Sequence, residues 1–292
     1  MRDVKIWSEE FGAVADTPIL LIMGSMSQGI LWPDEFIGRL VVGGRRVIRY
    51  DHRDTGLSGT VDFAVEPYTW EAVKNDVYRV LDAHGLESAH LVGHSAGGLL
   101  AQFVAVERPE RVRSLTVVGS SPLGGGEGRV LMRALTGQPQ PAGSLPEPAP
   151  EFLSFYRALM AAPPPEDRRA RIDGMIAEQR VLHGTGLPFD EEAARRLQER
   201  IHDRARDLSA VANHRLAAAA DPDFEPVEVL HRVQAPTLVV EGSHELVKPG
   251  HGALIAERIA GARLTIVAGM GHTLPPEVHE ELAAAVLAHT AE

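Results

Sequence analysis

Short apolar runs alternate along the chain with longer stretches in which apolar residues recur every three or four positions. That rhythm predicts a mainly parallel sheet with crossover helices. Over the first 120 residues the pattern places strands at 4–7, 18–23, 46–50, 90–92 and 112–118. Such near-continuous apolar strands fit a sheet covered on both faces. Helices are expected from about Pro33, where proline suits the first turn, over 68–84, and from near Gly98 to Arg108. In the second of these, Val73, Val77, Val80 and Leu81 share one face and Gly85 marks the end.

Between residues 121 and 233 the texture changes. This stretch holds 12 of the 20 prolines, and its recognisable elements are amphipathic helices without convincing strands. Phe152, Phe155, Tyr156, Leu159 and Met160 recur at helical spacing, which predicts packing and argues against a disordered linker. The expected organisation is therefore an α/β core at 1–120 and 234–292, interrupted by a helical cap at 121–233. After the insertion the α/β rhythm resumes, with strands at 237–241 and 264–267 and helices at 250–259 and 276–290.

The 292 residues are enough to bury a large core without covalent staples. The absence of cysteine removes disulfides, thiolate metal sites and any cysteine nucleophile. A net charge of −11 argues against nucleic acid as a partner, because phosphate binding needs a basic face. The beginning of the chain, MRDVKIWSEEFG, carries charge from its second residue and lacks the apolar segment of a signal peptide, and no apolar run approaches the roughly 20 residues that span a bilayer. A cytoplasmic protein acting on a small molecule is expected, with its oligomeric state left open.

Gly93-His94-Ser95-Ala96-Gly97 sits between an apolar strand and a helix. Glycines there permit a strained turn that exposes a serine hydroxyl at the carboxyl end of the strand, so Ser95 is a candidate nucleophile. A serine hydroxyl needs a positioned base. His272, in the loop between the last strand and the last helix, is the candidate. The acid that orients it should follow the penultimate strand, where Glu245 is the natural choice and Glu241, Asp221 and Asp223 are alternatives. Oxyanion donors are expected from the amides of Ala96 and of Ser25, the latter in Gly24-Ser25-Met26-Ser27. Substrate contacts are expected from Met26, Trp32, His94, Phe152, Tyr156 and Met160, of which the cap residues Phe152, Tyr156 and Met160 read equally well as core packing. Asp51 to Gly56 reads as a buried turn. Gly124-Gly125-Gly126-Glu127-Gly128 has Arg129 where a dinucleotide loop needs its last glycine, and no histidine or carboxylate spacing suggests a metal, so no cofactor is expected.

With these residues in view the chain resembles an α/β-hydrolase, and more narrowly the aclacinomycin-type methylesterases of anthracycline biosynthesis. The matching segments are Leu31-Trp32-Pro33-Asp34-Glu35-Phe36, the run from Val47 to Gly56, Gly184-Thr185-Gly186-Leu187-Pro188-Phe189-Asp190 and Gly269-Met270-Gly271-His272, so the likeness covers nearly the whole chain. It implies a cytoplasmic, cofactor-free enzyme that cleaves the methyl ester of a glycosylated aromatic polyketide, a large, flat substrate, through serine, aspartate and histidine. Two departures stand out. Glu245 occupies the position of an aspartate, and Met23-Gly24-Ser25-Met26 lacks a second glycine. A cyclase, a decarboxylase or a carbon–carbon bond-forming enzyme on the same fold is the alternative, and a non-catalytic receptor a third reading.

Overall fold

The computed structural model describes residues 4–163, 165, 167–221 and 224–291. Pro164, in the proline run, and Asp223, one of the alternative carboxylates, lie outside the described residues.

Seven strands form one sheet: β1 (Ser8–Phe11), β2 (Thr17–Ile22), β3 (Arg45–Tyr50), β4 (Ala89–His94), β5 (Val112–Val118), β6 (Thr237–Gly242) and β7 (Arg263–Val267). Their spatial order is β1-β3-β2-β4-β5-β6-β7. Among the described residues only β1 runs antiparallel to its neighbour. Alternation along the central strands explains why they read as unbroken apolar runs. Leu20, Ile22, Leu91, Leu115 and Val117 face a core built with α2 (Trp70–Ala83) and α3 (Ala96–Glu107), while Ile19, Leu21, Val92 and Val118 face one built with α1 (Asp34–Val42) and α10 (Pro276–His289). Each fully buried Leu, Ile or Val contributes roughly 1.5–3 kcal/mol of transfer free energy, so the double-sided cover is the main source of stability.

The first strand differs from expectation. Residues 4–7 are not in the sheet: the carbonyls of Lys5 and Trp7 accept instead from the amides of Gly59 and Asp51. The strand lies four residues later, in the polar string Ser8-Glu9-Glu10-Phe11. Charge pairing across the ladder offsets its poor β-propensity, with Glu9 2.6 Å from Arg49 and Glu10 2.6 Å from Arg46. The α3 helix also begins earlier than Gly98, directly after Ser95.

Between β5 and β6 the described residues contain no strand and five α-helices: α4 (Glu127–Thr136), α5 (Pro150–Ala161), α6 (Arg168–His183), α7 (Glu191–Arg204) and α8 (Asn213–Ala220). Asp167 and Asp190 cap α6 and α7 by accepting from the amides of Ala170 at 2.8 Å and Ala193 at 2.9 Å. Small local cores form around Phe152 and Leu153 and around Ile172, Ile176 and Ala194. The chain then returns through β6, α9 (His251–Arg258), β7 and α10. Among the described residues no helix is long and apolar enough to cross a membrane.

Register sets the site. His94 pairs with Val118, Val118 with Val240, and Gly242 with Val267, so β4 to β7 end side by side. The loops carrying Ser95, Gly119, Glu245 and His272 therefore emerge at one edge, where open parallel sheets bind ligands.

Candidate active site

Ser95 occupies a conformation that side chains rarely adopt, at φ 56° and ψ −125°. Such strain costs on the order of 1–3 kcal/mol and persists only where the surroundings over-determine it. Here they do. The Ser95 amide donates to Val118 O at 2.9 Å and its carbonyl accepts from Ser120 Oγ at 2.6 Å. A Cβ on Gly93 would sit 2.3 Å from Gly97 O, and one on Gly97 would sit 2.1 Å from Ile22 O. The turn can therefore be this tight only with both glycines, and they let α3 press its N-terminus against β2. Gly24 comes close on the other side, where a Cβ would lie 3.2 Å from that of Ser95.

His272 and Glu245 complete a continuous hydrogen-bonded chain. Ser95 Oγ is 3.0 Å from His272 Nε2, and His272 Nδ1 is 2.8 Å from Glu245 Oε2. The other carboxylate oxygen accepts from the amides of Val247 at 2.7 Å and Lys248 at 3.2 Å. Burial pushes the Glu245 carboxyl up, but the imidazole and those two amides outweigh it and hold the group at about 2. With Glu245 ionised, Nδ1 carries the ring proton and Nε2 faces the serine as an acceptor. Gly119, at φ 52°, leaves room for the pair: a Cβ there would lie 3.2 Å from Glu245 Oε2 and 3.4 Å from His272 Nδ1.

The alternative acids are accounted for differently. Glu241 accepts from the amide of Gly250 at 2.7 Å and also from that of Gly252, which ties it to the start of α9. Asp221 ends α8 in the insertion.

The expected substrate contacts divide. Met26 and Tyr156 are half-buried, and Met160 is 62% exposed. Trp32 is a correction to a direct contact. It is fully buried, stacks on Phe36 at 5.6 Å and meets the His94 ring edge-on at 6.2 Å, so it backs His94 and faces no open surface. His94 is itself buried and its Nε2 donates to His272 O at 2.9 Å, with burial pushing its pKa down to about 3. Phe152 packs in the insertion core and stacks on Tyr156 at 4.4 Å, whose hydroxyl donates to Glu178. Ser25 lies in the loop after β2, next to Gly24, and Ala96 is the first residue of α3, directly after the serine. The Asp51 to Gly56 segment forms the buried turn the sequence suggests: Arg53 clasps Asp76 by two 2.7 Å bonds, and Asp51 accepts from Gly29 N at 2.7 Å and Leu57 N at 2.8 Å.

Sequence reasoning missed the residues that hold these loops. The insertion touches all three. His272 N donates to Leu182 O at 2.7 Å, and a Cβ on Gly271 would lie 2.2 Å from His183 O. The loop after Glu245 is held by Ala149 N donating to Leu246 O at 2.8 Å and by a 2.9 Å ion pair from the buried Lys248 to Glu127. The loop carrying Ser25 is held by His214 and by Gln28, whose Nε2 donates to Ile201 O at 2.8 Å. The one available signal was the match at Gly184 to Asp190. A Cβ on Gly186 would lie 2.4 Å from Gly269 O, so that glycine is required by the histidine loop it packs against.

A family model described as the alpha/beta hydrolase fold matches residues 17–277. The chain belongs to the α/β-hydrolase family. It is 38% identical over 289 residues to rhodomycin D methylesterase of Streptomyces peucetius, covering 99% of this chain and 95% of that protein, and equally to its counterpart in Streptomyces sp. strain C5. Among solved structures it resembles a hydrolase of Pseudomonas aeruginosa with a TM-score of 0.71 at 25% identity, covering 98% of this chain and 94% of that one. An esterase of Exiguobacterium antarcticum shares the fold, with a TM-score of 0.72 at 19% identity over 99% and 96% of the two chains.

Proposed function

We propose that this α/β-hydrolase is a serine esterase that cleaves the methyl ester of an aromatic polyketide of the anthracycline class, with residues 121–233 as a cap on the core formed by 1–120 and 234–292. The observation that carries the reading is the unbroken chain from Glu245 through His272 to Ser95. The 38% identity to rhodomycin D methylesterases supports the substrate class.

In this mechanism His272 Nε2 takes the Ser95 proton as Oγ attacks the ester carbonyl carbon. The amides of Ser25 and Ala96 receive the developing oxyanion, where each such donor is worth about 3–4 kcal/mol of barrier. Collapse breaks the bond to the alkoxy oxygen, which leaves as methanol with the proton from His272. Water then attacks the acyl-enzyme, gives one proton to His272 and releases the carboxylic acid as Ser95 recovers its proton. Proton and group transfer all run through these side chains, so the reaction needs no cofactor. Met26, beside the oxyanion loop, and Tyr156, on α5, are the proposed apolar contacts.

A fluorophosphonate probe tests the nucleophile. Stoichiometric labelling of the wild type, lost in Ser95→Ala, is expected. An unlabelled but folded wild type would overturn the reading.

A further inference from the structure

The segment that bears Ser25 is gripped at both ends by buried imidazoles, and one of them comes from the insertion. At its start His52 Nε2 donates to Met23 O at 2.8 Å. At its end the Met26 amide donates to His214 Nδ1 at 2.8 Å, while His214 Nε2 donates to Arg53 O at 2.9 Å. His214, on α8, is thus held in one tautomer between two backbone groups far apart in sequence. Its ring lies edge-on to His52 at 5.9 Å and to Trp70 at 5.6 Å, and Trp70 Nε1 donates to the His214 carbonyl at 3.2 Å. Met26 has φ 59°, a left-handed conformation that an unbranched side chain tolerates only when its neighbours impose it.

We propose that His214 is a positioning residue for the oxyanion hole, fixing the left-handed Met26 and thereby aiming the Ser25 amide at the site above Ser95. The proposal rests on the serine-esterase reading. An oxyanion donor works only when preorganised at about 2.7–3.1 Å from where the charge develops, so a small rotation of the Ser25 peptide forfeits its contribution to the transition state. The ground-state ester gains little from that donor, so the loss falls on kcat and spares KM. Burial keeps the His214 ring neutral, lowering its pKa to about 4, so Nδ1 remains an acceptor across the neutral range. The insertion in this way completes the core's catalytic apparatus, in addition to any part it takes in shaping the pocket.

The test is steady-state hydrolysis of an activated aryl ester by His214→Phe and His214→Asn, together with the rate of fluorophosphonate labelling and the melting temperature of each. Phenylalanine keeps the ring contacts to His52 and Trp70 and removes both hydrogen bonds. Asparagine retains an acceptor near the Nδ1 position and a donor beside it. For His214→Phe we expect kcat to fall by about 10- to 1,000-fold, with KM within about threefold and labelling slowed in parallel. His214→Asn should recover kcat to within about tenfold of wild type. If folded His214→Phe matches the wild type, or if His214→Asn is as slow as His214→Phe at an equal melting temperature, His214 does not position the hole. If His214→Phe does not fold, the Asn variant decides: full stability with kcat lost overturns the proposal, and kcat retained supports it. Failure of the wild type itself to label or turn over would strike the esterase reading instead.

Discussion

At the scale of single residues, Glu245 shows how a carboxylate can be made specific without being exposed. One oxygen is anchored on the Val247 and Lys248 amides, so only the other reaches His272. Glu245→Gln must keep an oxygen on those amides, which turns its NH2 toward His272 Nδ1 and forces the ring proton onto Nε2. The base then faces Ser95 with a proton already in place. We expect kcat to fall by about 10³- to 10⁴-fold with the fold intact, measured by steady-state kinetics beside a thermal melt. A variant within tenfold of wild type would show that the carboxylate does not set the tautomer. Ser95, His272 and Glu245 were legible because each directly follows or closely trails a predictable strand. His52 and His214 were not: their partners are main-chain atoms of Met23, Met26 and Arg53, which carry no pattern in a sequence.

At the scale of elements, glycines report where two pieces of backbone meet. Gly271→Ala would drive a Cβ to 2.2 Å from His183 O, at the joint where the end of α6 holds the His272 loop. Overpacking of this kind costs about 1–3 kcal/mol, and here it should also displace His272, so stability and kcat are expected to fall together. Gly174 is the control. It lies within α6 with nothing near its missing Cβ, so Gly174→Ala should stabilise by up to about 1 kcal/mol and leave kcat unchanged. Denaturant midpoints and initial rates for the two variants check both statements, and a Gly271→Ala enzyme with native kcat would refute the close joint. Strand and helix positions in the core were readable because burial on two faces demands apolar runs. The first strand was misplaced because Glu9 and Glu10 join the sheet through Arg49 and Arg46, a stabilisation that hydropathy does not register.

At the scale of the whole molecule, burial has left several imidazoles that ionise only at a cost. Desolvation, the leading cause for each, lowers His52, His90 and His214 to about 4 and His94 to about 3. A depressed histidine pKa means the unfolded chain binds a proton that the folded one refuses. Stability is therefore complete above about pH 6.5 and declines as the pH falls toward 4, by on the order of 1 kcal/mol per pH unit for each such group. Glu245 acts in the same direction at lower pH: its contribution is present above its ordinary carboxylate range and is lost as the pH falls through about 2. Urea midpoints should thus drop between pH 7 and pH 5, and a flat profile would contradict the buried, neutral assignment. His214, on α8, packs against His52 and bonds the backbone of Met26 and Arg53, so the helices between β5 and β6 should unfold with the sheet in one transition.

Acyl transfer from a methyl ester to Ser95 is the step on which the proposed reaction turns. Its most direct measurement is single-turnover reaction with a tetracyclic polyketide methyl ester in ¹⁸O-labelled water, followed by mass spectrometry of both products. Acyl transfer to Ser95 puts one ¹⁸O in the carboxylic acid, leaves the methanol unlabelled, and gives no products with Ser95→Ala. Labelled methanol, a product formed without loss of methanol, or undiminished turnover by Ser95→Ala would contradict it.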